Sequence, residues 1–203
     1  MQESTGAALS APRTPRTDDT PAAGHRPGVL RWYLVAAVAT LAADQLSKLW
    51  ALANLGEGRV VPLVGEALSL RLIRNAGAAF SIGGSQTWVM TLIAIAVTLA
   101  ILWVTPRIGS VRWSVALGLL LGGSLGNLYD RFFREPGPLR GHVVDFIDYG
   151  VLFVGNIADI AIVGGAALLI WLVFTNIGLD GSRPQHAAAR PDHSTNHQKE
   201  SDE

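Results

Sequence analysis

The stretch VGNIADIAIVGGAALLIWLVFTN, residues 154–176, contains a single ionisable side chain, Asp159, in 23 positions. A hydrocarbon layer of roughly 30 Å is crossed by about 20 helical residues, so a run this long and this apolar reads as a membrane span. Asp159 is the exception. An aspartate at the centre of a span costs about 2.5–3.5 kcal/mol even on lenient scales, so this one has to lie near a boundary and have partners.

Outward from this run the same pattern repeats. No charge lies between Arg74 and Arg107, nor between Arg112 and Asp130. Spans are therefore predicted over residues 86–105 and 113–129, and a fourth over residues 29–50, which is apolar except for Asp44 and Lys48. The whole chain of 203 residues is 49% hydrophobic and only 16% charged, against about 25% charged in soluble domains. Its 16 basic and 16 acidic side chains cancel, which argues against a nucleic-acid binder held by phosphate contacts. The absence of cysteine excludes disulfides, thiolate zinc sites, iron–sulfur clusters and cysteine nucleophiles.

The charges concentrate at the ends. Residues 1–31 hold seven and residues 180–203 hold eight, in polar sequence without apolar periodicity. Such segments cannot bury enough surface to offset the entropy of ordering, so residues 1–28 and 177–203 are expected to be disordered tails. An even number of spans places both tails on one side. Assigning them to the cytoplasm puts nine basic residues there and seven opposite, the direction the positive-inside rule favours. A cleavable signal peptide is a poor reading of residues 29–50, because a long polar segment precedes them and no small-residue cleavage site follows.

Residues 58–82 differ from the spans. Leu68, Leu70 and Leu72 alternate with Ser69, Arg71 and Ile73 between Gly and Pro punctuation, which predicts a small extracytoplasmic sheet at the membrane surface. The expected fold is thus an α-helical integral membrane protein with four transmembrane helices and a small β-cradle.

Five aspartates, Asp44, Asp130, Asp145, Asp148 and Asp159, fall near the same proposed boundary. Asn156 and Asp159 share a helical face, and a helix-start cap explains them on its own. Asp145 precedes them by a short loop, so two carboxylates can meet. Adjacent carboxylates share a proton, leaving one as base and one as acid. That pair could activate water against an amide and protonate its leaving nitrogen, or could relay protons in a coupled transporter. Gly118, Gly122 and Gly126 recur every four residues, as in close helix packing. Asp44 and Lys48 are spaced for a salt bridge. Ser47 beside Lys48 raises a Ser–Lys peptidase, although neighbours on a helix point about 100° apart. A metal site on His142, Asp145 and Asp148 lacks any supporting motif.

Taken together in chain order, DQLSK (Asp44 to Lys48), RNAGAAFS (Arg74 to Ser81), GGSLGNLYDR (residues 122–131), VVDF (Val143 to Phe146) and NIAD (Asn156 to Asp159) resemble bacterial lipoprotein signal peptidases, the type II signal peptidases. The resemblance covers roughly residues 30–176. It implies an aspartic endopeptidase of the bacterial cytoplasmic membrane, with the catalytic pair on Asp145 and Asp159. The implied substrate is a prolipoprotein whose cysteine bears diacylglycerol, cut just before that cysteine. Asn75, Asn127, Arg131 and Asn156 match positions that line or order the site, and Asp44, Lys48 and Asp130 match polar positions that hold it together. No metal or organic cofactor is implied, membrane lipid is the surroundings, and the chain is expected to act as a monomer. Gly155 stands where the family usually has Phe, and Ile160 where it often has a small residue. Asp148 matches no catalytic position.

Overall fold

The computed structural model describes residues 27–77 and 87–182. The expectations for residues 1–26, for Ala78 to Ser81 of the second motif, for residue 86 and for residues 183–203 lie outside them.

Four helices run α1 Pro27–Asn54, α2 Thr87–Val104, α3 Val111–Phe133 and α4 Ile157–Phe174. Between and after them lie four strands, β1 Val60–Val64, β2 Leu68–Asn75, β3 Val143–Asp148 and β4 Val154–Gly155. Among the described residues, three helical segments are long and apolar enough to cross a membrane: Gly28–Asn54, Thr87–Arg107 and Ile157–Phe174. Their outward surfaces carry exposed Leu34, Val38 and Leu49 on α1, Ile93 and Leu99 on α2, and Val163 and Val173 on α4. An apolar exterior around buried polar groups is the arrangement that lipid requires.

The expected span at residues 113–129 is the helix α3, yet it is not among those three. Its glycines, serines, Asn127 and terminal charged residues lower its hydropathy, a composition that suits its central place: α3 packs against α1, α2 and α4 and buries 11 residues, including Ser114, Ser124, Asp130 and Arg131. Its glycines let the neighbours approach closely. A Cβ on Gly118 would stand 2.6 Å from the Tyr33 carbonyl oxygen, one on Gly122 would overlap the Ala37 carbonyl oxygen, and one on Gly126 would overlap the Asp44 carboxylate. The four-residue spacing is thus a backbone contact between α1 and α3. On the α4 side, a Cβ on Gly123 would lie 2.6 Å from the Ala158 carbonyl oxygen.

These contacts make a test of the packing. Gly122→Val is expected to destabilise the protein by about 1–3 kcal/mol or more through overpacking, read as a lower unfolding temperature in detergent. Gly164→Val, at a position with open space around it, should match the wild type. Equal unfolding temperatures for all three would contradict the α1–α3 contact.

The four strands form one antiparallel sheet in the order β1-β2-β3-β4. Pro62 lies on the edge strand beside a register shift, the place in a sheet where proline is tolerated. Gly65, with φ +52°, turns the chain into β2. The cradle is therefore larger than the small sheet expected from residues 58–82, because β3 and β4 complete it. From sequence, the first is given no element and the second is included in a span. Val143 to Phe146 are all buried, so the strand shows no alternation of apolar and polar residues for a sequence reading to detect.

Two boundaries also differ from expectation. The fourth helix starts at Ile157, since Val154–Gly155 pairs with β3 and Asn156 caps the helix. Residues 177–182, expected within a tail, pack against the bundle instead. Ile177 is buried beside Ala116 and Leu172, Trp113 Nε1–H donates to the Ile177 carbonyl oxygen at 2.9 Å, and Gly109 N–H donates to the Leu179 carbonyl oxygen at 2.9 Å. This end of the bundle carries exposed Trp32, Trp103 and Trp171, residue types favoured at a membrane interface. The sheet and Asp44, Asp130, Asp145, Asp148 and Asp159 occupy the other end.

Candidate active site

The β3–β4 hairpin decides where the two carboxylates meet. Asp145 pairs with Ile73 in the β2–β3 ladder, which puts Asn75 diagonally beside it. Asn75 Nδ2–H donates to Asp145 Oδ2 at 2.8 Å. The chain then turns back through β4 and enters α4 at Asn156, whose Nδ2–H donates to Asp145 Oδ1 at 2.6 Å. Asp145 is 2% exposed. Burial is the main cause that pushes its carboxyl from an ordinary 3.8 up to about 6. The Asn75 hydrogen bond opposes that rise, the nearby Asp159 charge adds to it, and Asn156 and Lys48 oppose it.

Asp159 occupies the first turn of α4. Asn156 Oδ1 accepts from the Asp159 backbone N–H at 3.0 Å, and Asp159 Oδ2 accepts from the Asn156 backbone N–H at 3.1 Å. This is a reciprocal capping box. Asn156 is therefore both a cap and a bridge to Asp145, so its capping role does not separate the NIAD motif from the pocket. Asn127 Nδ2–H donates to Asp159 Oδ1 at 2.9 Å, and Asn127 Oδ1 accepts from Asn156 Nδ2–H at 3.1 Å.

A buried ion network supports the amides from below. Lys48 Nζ is fully buried, lies 2.8 Å from Asp44 Oδ2 and 2.8 Å from Asp130 Oδ2, and donates to Asn127 Oδ1 at 3.1 Å. Its three N–H bonds are thereby used. Arg134, which sequence reading did not single out, pairs with Asp130 Oδ1 one helical turn away. The i,i+4 spacing was the available signal. Two cations thus balance two carboxylates. Asp130 Oδ2 also accepts from the Val144 N–H at 3.1 Å, and Asp44 Oδ1 accepts from the Ala158 N–H at 3.0 Å. The network therefore ties α1 and α3 to β3 beside Asp145 and to α4 beside Asp159.

Arg131 Nη1 donates to the carbonyl oxygens of Asn75 at 3.1 Å and Gly141 at 3.0 Å. Asn75, Asn127, Arg131, Asp145 and Asp159 together line a pocket of about 180 Å³, with Met90, Ala94 and Val143 as its apolar wall. Those three apolar residues carry no sequence signal. The pocket brings together five of the six residues expected at the site, and Asn156 braces it through its bonds.

Other expectations separate from the pocket. Asp148 pairs with Arg71 at 2.9 Å and accepts from the Gly150 N–H, which leaves it outside the lining. Ser47 Oγ–H donates to the Asp44 carbonyl oxygen at 2.9 Å, while Lys48 is committed to two carboxylates and an amide, so no Ser–Lys pair forms. Among the described residues no group of three or more His, Asp or Glu side chains is placed to hold a metal ion.

A family described as signal peptidase (SPase) II matches residues 36–175. The chain belongs to the signal peptidase II family. It is 46% identical over 171 residues to a lipoprotein signal peptidase of Mycobacterium avium (strain 104), covering 84% of this chain and 87% of that one. It is 45% identical over 174 residues to one from Rhodococcus jostii (strain RHA1), covering 83% and 87%. A bacterial membrane enzyme solved by the in meso method at 1.9 Å resolution superposes with a TM-score of 0.62 at 28% identity, covering 71% of this chain and 93% of that structure. As a signal peptidase II, the chain is a membrane hydrolase of lipoprotein processing, with apolar helices holding a polar pocket.

Proposed function

We propose that this signal peptidase II is an aspartic endopeptidase that cuts diacylglyceryl-modified prolipoproteins just before the lipidated cysteine, with Asp145 and Asp159 as its catalytic pair. The observation that carries the reading is that both carboxylates line one pocket and are joined through Asn156.

In this mechanism the pair holds one proton, and burial of Asp145 favours keeping it. The ionised carboxylate takes a proton from water as the water oxygen attacks the scissile carbonyl carbon. The protonated carboxyl donates to the carbonyl oxygen, and a proton then passes to the leaving nitrogen as the C–N bond breaks. Asn75, Asn127 and Asn156 hold the carboxylates in place, Arg131 fixes the Asn75 strand end, and Asp44, Lys48 and Asp130 keep the helices in register.

The reading also places the molecule. Helix α3 is the fourth crossing, surrounded by the other three. The site lies near the extracytoplasmic face of the bacterial cytoplasmic membrane, with both termini in the cytoplasm and the substrate entering laterally from lipid. Action as a monomer is part of the same proposal.

The direct test is cleavage of a lipidated precursor by the purified protein in vesicles, with the same precursor lacking diacylglycerol left intact. The proton arithmetic gives a second expectation. Asp145 keeps a proton below about pH 6 and loses it above, so kcat/KM should fall as pH rises through about 6, the apparent value belonging to the pair. A profile that stays flat or climbs through that region would contradict a shared proton.

A further inference from the structure

The turn between β3 and β4 carries an aromatic ring that the carboxylate network does not use. Tyr149 N–H donates to the Phe153 carbonyl oxygen at 2.9 Å and Leu152 N–H donates to the Tyr149 carbonyl oxygen at 3.4 Å, which closes the turn on itself. The Tyr149 and Phe153 rings stack with centroids 4.8 Å apart and planes tilted by 34°. Phe153 is held on that side, yet it remains 53% exposed.

Gly155 explains where the ring sits. A Cβ at Gly155 would stand 3.0 Å from Phe153 Cε2 and 3.0 Å from Asp159 Oδ2. The missing side chain therefore lets the ring and the carboxylate close on one point from two directions. Gly155 itself is buried and has no left-handed φ, so close approach, rather than backbone conformation, is what requires glycine here.

We propose that Phe153, backed by Tyr149 and seated on Gly155, is a specificity residue whose free ring face packs against an apolar group of the substrate beside the scissile bond. This rests on Asp145 and Asp159 being the catalytic pair. A phenyl ring carries no proton and meets no developing charge, so it binds ground state and transition state alike and acts on KM rather than kcat. The apolar group is either a side chain of the peptide preceding the cysteine or the near end of an acyl chain. Both offer the same surface to the ring.

The experiment uses the full chain in detergent micelles with a diacylglyceryl-modified precursor, measuring KM and kcat. Phe153→Ala is expected to raise KM about tenfold, the loss of one aromatic contact, with kcat within about twofold of wild type. Phe153→Tyr should restore KM. Gly155→Ala should lower kcat as well, because its Cβ presses on Asp159. Two altered precursors locate the contact, one with the apolar residues before the cysteine changed to alanine and one with shortened acyl chains. The precursor for which Phe153→Ala no longer raises KM has lost the group that the ring touches.

An unchanged KM in Phe153→Ala overturns the inference, as does a fall in kcat alone accompanied by a lower unfolding temperature. A KM rise that persists undiminished with both altered precursors overturns it too. Retained cleavage by Asp145→Asn would instead sink the catalytic reading, whatever the Phe153 variants do.

Discussion

Asp145→Asn is expected to lower cleavage of a lipidated precursor by about 10³-fold or more while the protein still folds in the membrane. The amide cannot ionise and cannot share a proton with Asp159. Asp145 now accepts one hydrogen bond on each oxygen, from Asn75 and Asn156, and asparagine can accept on only one side. Its NH₂ then faces another NH₂, at a cost of about 1–3 kcal/mol, less than typical total stability. Folding is therefore expected to survive where activity does not. Asp159→Asn should behave alike, since the proposed mechanism uses both carboxylates. Ser47→Ala removes a hydroxyl that donates to a backbone carbonyl outside the pocket and should leave the rate near wild type. Unfolding temperature measured beside the cleavage assay separates the two effects. A near wild-type rate for either asparagine variant would contradict the pair.

Lys48→Met is expected to have the largest effect on stability. It leaves Asp44 and Asp130, both 0% exposed, without the cation between them, and Arg134 reaches only Asp130. Breaking a buried ion network by removing one partner costs about 3–5 kcal/mol, much of it from the charges left behind. That is a large part of a typical folding free energy of about 5–15 kcal/mol, so low yield and a markedly lower unfolding temperature should follow. Adding Asp44→Asn to Lys48→Met should recover part of the loss, because Asp130 keeps Arg134 and only the Asp44 charge is left stranded. A single variant that unfolds with the wild type would show the network to be dispensable.

These expectations show which parts of the molecule could be read from its residues. Apolar runs between widely spaced charges outline α1, α2 and α4, because lipid tolerates few charges along a span. The Gly118, Gly122 and Gly126 spacing announces the α1–α3 contact, since only a missing Cβ permits that approach. Asp44 and Lys48 pair locally at i,i+4. Asp130 joins them from 82 residues away on α3, and no spacing rule reaches that far. The same holds for Asn75, which meets Asp145 through strand register 70 residues on.

Asp145 itself shows the limit most clearly. It is assigned no strand from sequence, and it stands on β3, a strand buried on both faces. The cap signal at Asn156 and Asp159 was readable, but the short β4 before it merged with the apolar run that follows. Spacing alone did not separate Asp145 from Asp148, three residues on; the family resemblance did, and the two stand in different surroundings. One lines the pocket, whereas the other pairs with Arg71 across the sheet.

The most direct measurement is the mass of both products when the purified protein is incubated with a diacylglyceryl-modified precursor in the presence of a chelator. The account expects a carboxy-terminal product that begins at the lipidated cysteine and a released signal peptide of matching mass, with neither formed by Asp145→Asn or Asp159→Asn. A cut at another bond, or unchanged cleavage by either variant, would contradict it.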